Sequence, residues 1–112
     1  MKMISRFAGL VSALVLCGAA AHAADPVENW AKNCAACHGK DGAGHTKAGR
    51  MVHVKDMTDA QYQKSFTDEQ AAKQIKGGLK DANGKEKMKA FGDVLTDADI
   101  TALVGYIRSL RK

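Results

Sequence analysis

The stretch that decides the fold is NCAACHGKDGAG, residues 33–44. Two cysteines, Cys34 and Cys37, are separated by two residues, and His38 follows the second cysteine directly. Three kinds of site use residues of these types: a disulfide, a metal centre and a covalently attached haem. Each kind makes different demands on the rest of the chain, so the surrounding sequence has to distinguish between them.

The first two kinds of site lack residues that they need elsewhere in the sequence. A redox dithiol of the thioredoxin kind belongs to a βαβ unit, and no stretch of this chain alternates polar and apolar residues as a strand does. A structural zinc site takes four ligands. Cys34, Cys37 and His38 offer three, and no second cysteine pair follows them. A plain structural disulfide leaves the histidine and the glycine-rich loop unexplained.

The pattern Cys-x-x-Cys-His is the attachment signature of a c-type haem. The two thiols add to the two vinyl groups of the porphyrin, and the histidine lies under the iron and supplies a nitrogen ligand. The sequence therefore predicts one covalent haem c, bound through Cys34 and Cys37, with His38 as an axial ligand of the iron.

The N-terminal residues have the composition of a secretory signal peptide. A short basic start precedes an apolar run over residues 7–21, and Ala-His-Ala at residues 21–23 matches the usual cleavage pattern. We expect residues 1–23 to be cleaved off, which leaves a mature domain over residues 24–112 in the periplasm. Two alternatives stay open: an uncleaved anchor, although the run is shorter than the roughly 18–20 residues that span a bilayer, and lipid modification of Cys17.

Composition narrows the function further. The chain has 112 residues, which is enough for one small domain, and a formal net charge of +5. Such a domain buries a thin core and often needs a metal, disulfides or a cofactor to hold it together. Nucleic-acid binding is not indicated, because aromatic residues are not interleaved with the basic ones. The sequence shows no set of acid, base and nucleophile, so it does not indicate an enzyme.

The spacing of apolar residues predicts an all-α fold of about four short helices around the haem. A Thr or Asp residue that can cap a helix stands at the start of each segment, and a Thr-x-x-Gln capping box opens the third. The predicted helices, with their caps, are residues 26–36 after Asp25, residues 58–64 with Thr58, a segment from Thr67 to the pair Gly77-Gly78, and a last helix after Thr96. The residues from the glycine pair to Lys89 are expected to form a lysine-rich loop.

The haem iron of an electron carrier has a second axial ligand. Candidates in the mature chain are His45, Met51, His53, Met57 and Met88. Met88 is favoured, because it lies in a loop between two helices, between lysines and with no amphipathic role. His45 is too close to His38 to reach the opposite face of the haem, whereas Met51 and His53 stay open. Ligation by methionine and histidine raises the reduction potential relative to two histidines.

The chain resembles class I cytochromes c, in particular the small bacterial periplasmic ones, over nearly all of the mature domain. NWAKNCAACHGKDGAG (residues 29–44) looks like the family's first helix and haem loop, and MKAFGDVLTDADITALVGYIRSL (residues 88–110) looks like its methionine loop and closing helix. The resemblance implies a one-electron carrier. It also places Trp30 against Leu103 and Tyr106 where these helices cross, with Gly105 allowing the backbones to approach.

Two departures from the family's pattern lead to expectations of their own. The family's Met-Pro-x-Phe is Met-Lys-Ala-Phe here, residues 88–91, so we expect a looser loop around the ligand. The family often has a proline after the attachment site, and its carbonyl accepts a hydrogen bond from the second ring nitrogen of the histidine. No proline follows Pro26 here, so we expect another carbonyl, near residues 54–56, to accept this bond from His38.

Charge suggests how a partner docks. Six lysines lie between residues 73 and 89, at positions 73, 76, 80, 85, 87 and 89. They include the neighbours of Met88, so the sequence predicts positive charge at the haem edge and an acidic patch on the redox partner; an ordinary solvated basic face is the alternative. Two other functions stay open: a haem subunit of a periplasmic oxidoreductase complex, and a ligand-binding or peroxidatic haem protein. No stable membrane association is expected after cleavage.

Overall fold

The computed structural model of the protein describes residues 13–14, 18 and 22–112. The predicted signal peptide, including Cys17, therefore lies almost entirely outside the described residues. Within them, six helices and one two-stranded sheet follow one another in the order α1 (Pro26–Asn33), α2 (Ala35–His38), α3 (Lys47–Val52), α4 (Ala60–Gln63), α5 (Asp68–Gly77), β1 (Leu79–Lys80), β2 (Glu86–Met88) and α6 (Asp97–Ser109). The predicted all-α class is confirmed. No helix in this part of the chain is long and apolar enough to cross a membrane.

Three helix starts follow the predicted capping chemistry. The Asp25 carboxylate accepts a hydrogen bond from the backbone at the start of α1. Thr67 and Gln70 form a complete capping box at the start of α5, and Thr96 and Asp99 form another at the start of α6. Each box satisfies two backbone donors that a helix start otherwise leaves without partners.

Two predicted helices have different bounds. The segment over residues 26–36 is divided at Cys34, whose φ of −119° ends α1 before α2 begins. The short fourth helix is capped by Asp59 and not by Thr58. Asp59 accepts hydrogen bonds from two backbone N–H groups of α4, while the Thr58 hydroxyl donates to Asp56 at 2.6 Å. The Thr58 hydroxyl is therefore engaged elsewhere, and Asp59, one residue later, caps the helix.

Helix α3 was not predicted, because its glycines read as loop residues. Thr46 caps it, and it ends at His53, which has a left-handed backbone with φ of 57°. Gly49 lies inside the helix and is buried. A Cβ atom there would collide with the carbonyl oxygen of Cys37, so the glycine permits α3 to pack directly on residues 34–46, the attachment loop, which includes α2.

The expected lysine-rich loop contains the β1–β2 hairpin. Leu79 pairs with Met88 and Lys80 with Glu86, with a bulge between the two pairs. The Asp81 carboxylate accepts hydrogen bonds from two backbone N–H groups in the turn. The strands have two and three residues, which is too short for a detectable alternation of polar and apolar residues.

The core lies where α6 crosses α1 and α5. Its buried apolar residues are Trp30, Ile75, Phe91, Leu95, Ile100, Leu103, Val104 and Ile107. The predicted packing of the first helix on the last is confirmed, since the ring centroids of Trp30 and Tyr106 are 5.5 Å apart. The role expected of Gly105 is wrong: a Cβ atom there would have no atom within 4 Å, so Gly105 faces away from the crossing.

Candidate haem-binding site

The residues of the attachment loop that follow α2 are folded back onto it by hydrogen bonds. The carbonyl oxygen of His38 accepts one from Gly44 N at 2.8 Å. The Thr46 hydroxyl donates to the carbonyl oxygen of Cys37 at 2.6 Å and accepts from Gly49 N at 2.8 Å. Cys37 and His38 therefore occupy a backbone that is fixed from both sides.

Trp30 positions the histidine from the other side. Its indole Nε1 donates a buried 2.9 Å hydrogen bond to the carbonyl oxygen of Gly39. Its ring lies 5.5 Å from the imidazole of His38, measured between centroids. The tryptophan is 3% exposed, so this contact links the core directly to the attachment loop.

Both cysteines are free, and Cys34 has the chemistry of a buried thiol. Cys34 and Cys37 are free and partly buried. Burial raises the pKa of Cys34 to about 11, whereas a redox-active dithiol needs a lowered pKa. Nowhere in the described ranges do three or more His, Cys, Asp or Glu side chains cluster closely enough to bind a metal ion. The raised pKa of Cys34 disfavours the dithiol alternative, and the described residues offer no ligand cluster in support of the zinc alternative.

His38 is in the state that an iron ligand requires. Burial lowers the pKa of its imidazole, which favours the neutral ring that binds metals. Its Nδ1 is buried and has no hydrogen-bond partner among the described residues. The expected bond to a carbonyl near residues 54–56 is thus not formed. The carbonyl oxygens of Val54 and Lys55 lie near Gly44, each 3.6 Å from the point where Gly44 would carry a Cβ.

The predicted ligands line a cleft with two adjoining compartments, an inner one of about 260 Å³ and an outer one of about 590 Å³. Together they fall in the size range of cofactor sites, roughly 300–1,000 Å³. The side chains that line both compartments are Cys34, His38, Met57, Tyr62, Gln74 and Met88. Trp30, Ile75 and Leu103 of the core line the inner compartment. The combined volume and the apolar residues of the inner compartment fit a large apolar ring.

Met88 is held on the wall formed by the hairpin and α5. It ends β2, and its side chain packs against the core. Its Sδ atom accepts a hydrogen bond of 3.7 Å from Gln74 Nε2. Shortly after it, Phe91 N donates to the Ile75 carbonyl at 2.9 Å and Gly92 N donates to the carbonyl oxygen of Lys76 at 3.1 Å. These contacts hold the segment without the family's proline.

The other four candidate ligands are placed less favourably. Met51 is 71% exposed, and neither it nor His45 lines the cleft. His53 is exposed and reaches only the outer compartment. Met57 lines both compartments, but its backbone N donates to the carbonyl oxygen of Gly42 at 2.9 Å. Met57 therefore belongs to the attachment-loop side of the cleft, the same side as His38.

Two residues whose roles the sequence does not indicate hold together the elements next to the cleft. Gln63 is 2% exposed, and its Nε2 donates to the carbonyl oxygens of Met57 at 2.6 Å and Ile107 at 2.7 Å. Arg108 donates to the Phe66 carbonyl at 2.8 Å and to Asp68 at 2.8 Å. Both join α6 to the segment between α3 and α5. A glutamine in a four-residue helix gives no signal of such a role.

The lysines around the cleft only partly match the predicted set. Lys32, Lys55, Lys87 and Lys89 line the outer compartment, together with Glu86. The other four lysines of the predicted set do not line it; one of them, Lys76, pairs with Asp97 at 2.9 Å. The positive charge at the opening therefore comes from three separate parts of the chain.

Comparison with known proteins gives consistent results. A family model described as Cytochrome c matches residues 26–111. The solved structure of the KustC0563 c-type cytochrome is 30% identical, with a TM-score of 0.71, and the match covers 80% of this chain and 100% of that chain. A structure of a point mutant of the same protein gives 30% identity, a TM-score of 0.68, and coverage of 78% and 99%.

Proposed function

Because the chain belongs to the cytochrome c family, whose members bind haem c covalently and carry electrons, we propose that it is a periplasmic one-electron carrier with histidine and methionine as axial ligands. Cys34 and Cys37 form the thioether bonds, and His38 and Met88 bind the iron. One observation carries this proposal: all four side chains line the same compartment. When bound, haem c supplies an iron that alternates between Fe(II) and Fe(III).

The two axial ligands come from separately anchored segments. His38 belongs to the attachment loop, which Trp30 contacts through Gly39. Met88 belongs to the hairpin, whose continuation is hydrogen-bonded to the end of α5. Ligands on two separately hydrogen-bonded segments would support an iron site in which the protein fills both axial positions. A site with both positions filled by protein excludes substrates and leaves electron transfer as the function.

The inner wall of the cleft controls the surroundings of the iron. Ile75 and Leu103 are 6% and 1% exposed, and both line the inner compartment together with Trp30. An apolar wall excludes water and disfavours the additional positive charge of Fe(III). Together with a thioether ligand, this burial favours the reduced state and raises the reduction potential.

The lysines at the opening support a docking site for an acidic partner. Lys32, Lys55, Lys87 and Lys89 line the outer compartment with one acid, Glu86, and Lys87 also pairs with Asp81 at 3.9 Å. A positive rim accelerates encounter with a negative patch, and salt screens this attraction. We expect the rate of electron transfer to the natural partner to fall as ionic strength rises. A rate that is insensitive to salt would contradict the acidic patch, while leaving the haem assignment intact.

The intact mass of the exported protein tests cofactor attachment and processing together. The wild type should have the mass of residues 24–112 plus one haem. Cys34→Ala and Cys37→Ala should lose haem or bind it through a single bond. Cys17→Ala is the matched control, because Cys17 lies in the part expected to be removed, and its exported product should equal the wild type. A haem-free wild type, or a Cys17→Ala protein without haem, would overturn the proposal.

A further inference from the structure

The carboxylate of Asp99 bridges the starts of two helices that are far apart in sequence. Its Oδ2 atom accepts a 3.0 Å hydrogen bond from Thr96 N, within the capping box of α6. Its Oδ1 atom accepts a 2.7 Å hydrogen bond from Ala24 N, just before α1. Asp99 is 9% exposed, so little water competes for these oxygens. The bonds from Thr96 and Ala24 lower the pKa of this carboxyl group.

The position of Ala24 N is set by the chain that follows it. Asp25 caps α1 by accepting a 2.9 Å hydrogen bond from Val27 N, and α1 packs against α6. Residues 22–24, by contrast, are exposed and lie outside any helix or strand. Removal of the residues before Ala24 therefore leaves its nitrogen beside the carboxylate, and the exposed peptide bond between residues 23 and 24 is open to a peptidase.

We propose that Asp99 is the binding site of the α-ammonium group that cleavage after Ala23 creates. This inference rests on the proposed export and processing of the chain. Hydrolysis of the peptide bond between Ala23 and Ala24 consumes one water and leaves a carboxylate on Ala23 and an amine on Ala24. The amine takes up a proton at neutral pH, since its usual pKa is about 7.7–8.0. Maturation thus converts a contact between a neutral N–H and a carboxylate into a pair of opposite charges.

The charge changes the energy of the contact in two ways. The carboxylate already accepts a charge-assisted hydrogen bond from the neutral N–H, and the ammonium adds a direct attraction between opposite charges. A positive group close to the start of α1 is also unfavourable for the helix dipole, and the carboxylate of Asp99 helps to offset it together with Asp25 and Glu28 at the same helix start. The mature chain therefore gains stability at the α1–α6 crossing, which carries Trp30 into the haem cleft.

A double-mutant cycle on the exported, haem-loaded protein tests this inference. One change inserts Gly-Ser between Ala23 and Ala24, so that cleavage leaves Ala24 with a neutral peptide N–H. The other change is Asp99→Asn. Urea unfolding at pH 6 is measured for all four combinations. With Asp99 present, the insertion should raise the unfolding equilibrium constant about threefold to tenfold, the range for a partly exposed charged hydrogen bond. In Asp99→Asn it should change less than about twofold.

Two further measurements test this inference, and a third tests the proposed function separately. The difference between the two backgrounds should shrink between low and high salt, because screening weakens a charged pair and leaves a neutral hydrogen bond unaffected. An equal effect of the insertion in both backgrounds would overturn the inference. So would a mass spectrum in which the mature wild-type chain begins at a residue other than Ala24. The haem spectrum of the same four proteins reports separately on the proposed function, which does not depend on Asp99.

Discussion

The indole nitrogen of Trp30 donates a 2.9 Å hydrogen bond to the carbonyl oxygen of Gly39, the residue that follows His38. This single contact connects α1 and the core with the loop that carries the proposed iron ligand. The same ring lies 5.5 Å from the imidazole of His38 and 5.5 Å from the ring of Tyr106. The tryptophan is therefore both a core residue and a support for the attachment loop.

Trp30→Phe removes this donor and leaves the Gly39 carbonyl oxygen with only the 3.2 Å hydrogen bond from Gly42 N. We expect the haem-loaded variant to lose about 1–3 kcal/mol of unfolding free energy, because a buried hydrogen bond is lost and the smaller ring leaves space in the core, measured by urea denaturation. Tyr106→Phe is the matched control, because it keeps the neighbouring aromatic ring and removes only a hydroxyl. Equal stability of the two variants would show that the hydrogen bond to Gly39 contributes nothing.

Two glycine-to-alanine changes should have opposite signs. A Cβ atom at Gly49 would meet the Cys37 carbonyl oxygen and lie 2.7 Å from the Thr46 hydroxyl, so Gly49→Ala should destabilise the protein by about 1–3 kcal/mol. It should also lower the yield of haem-loaded protein. Gly105→Ala has open space around it within α6 and should stabilise the protein by about 0.5–1 kcal/mol. Thermal unfolding of both variants checks the pair. A harmless Gly49→Ala would contradict the close contact.

Gln74→Leu should lower the reduction potential. Gln74 Nε2 donates to Met88 Sδ at 3.7 Å and withdraws electron density from the sulfur, which makes the sulfur a poorer ligand for Fe(III) than for Fe(II). A loss of about 0.5 kcal/mol of this preference is on the order of 20 mV for a one-electron couple. Gln61→Leu, the same change at an exposed position of α4 outside the cleft, serves as the control. Equal potentials for the two variants in a redox titration would argue against the contact.

Asp56 should contribute a pH-dependent part of the stability. The Thr58 hydroxyl and then the Thr58 backbone N–H lower the pKa of this carboxyl group in the folded protein. The charged form therefore stabilises the fold above the unfolded-state pKa of about 4, and this contribution is lost as the pH falls through the lower, folded-state pKa. Wild type should exceed Asp56→Asn in stability at pH 7, and the gap should close below about pH 4. A gap that is constant from pH 7 to pH 3 would rule out this origin.

The sequence was sufficient where one residue type has one strong local role. Cys-x-x-Cys-His indicates haem attachment by covalent chemistry alone, and the comparisons support one haem c. The boxes at Thr67 and Thr96 are local hydrogen-bond patterns, so the helices after them begin where predicted. The family resemblance also gave the packing of Trp30 on Tyr106 correctly.

The errors concern properties that depend on distant parts of the chain. Gly49 is typical of a loop by sequence, yet it lies within α3. The carbonyl of Cys37 lies against it and leaves no room for a side chain. Gly105 reads as a close-approach residue, yet the helix faces it towards solvent. The hairpin that carries Met88 is too short to show a period. No local pattern shows that Gln63 is buried between two backbone carbonyls.

The absorption spectrum of the oxidised protein tests the central claim, that Met88 binds the iron opposite His38. Wild type should show the weak far-red band of methionine-bound Fe(III), and Met88→Ala should lose it while keeping its covalent haem. Met57→Ala is the matched control, because Met57 lines the same two compartments from the attachment-loop side, and it should retain the band. A band that survives in Met88→Ala, or disappears in Met57→Ala, would contradict this assignment of the iron ligand.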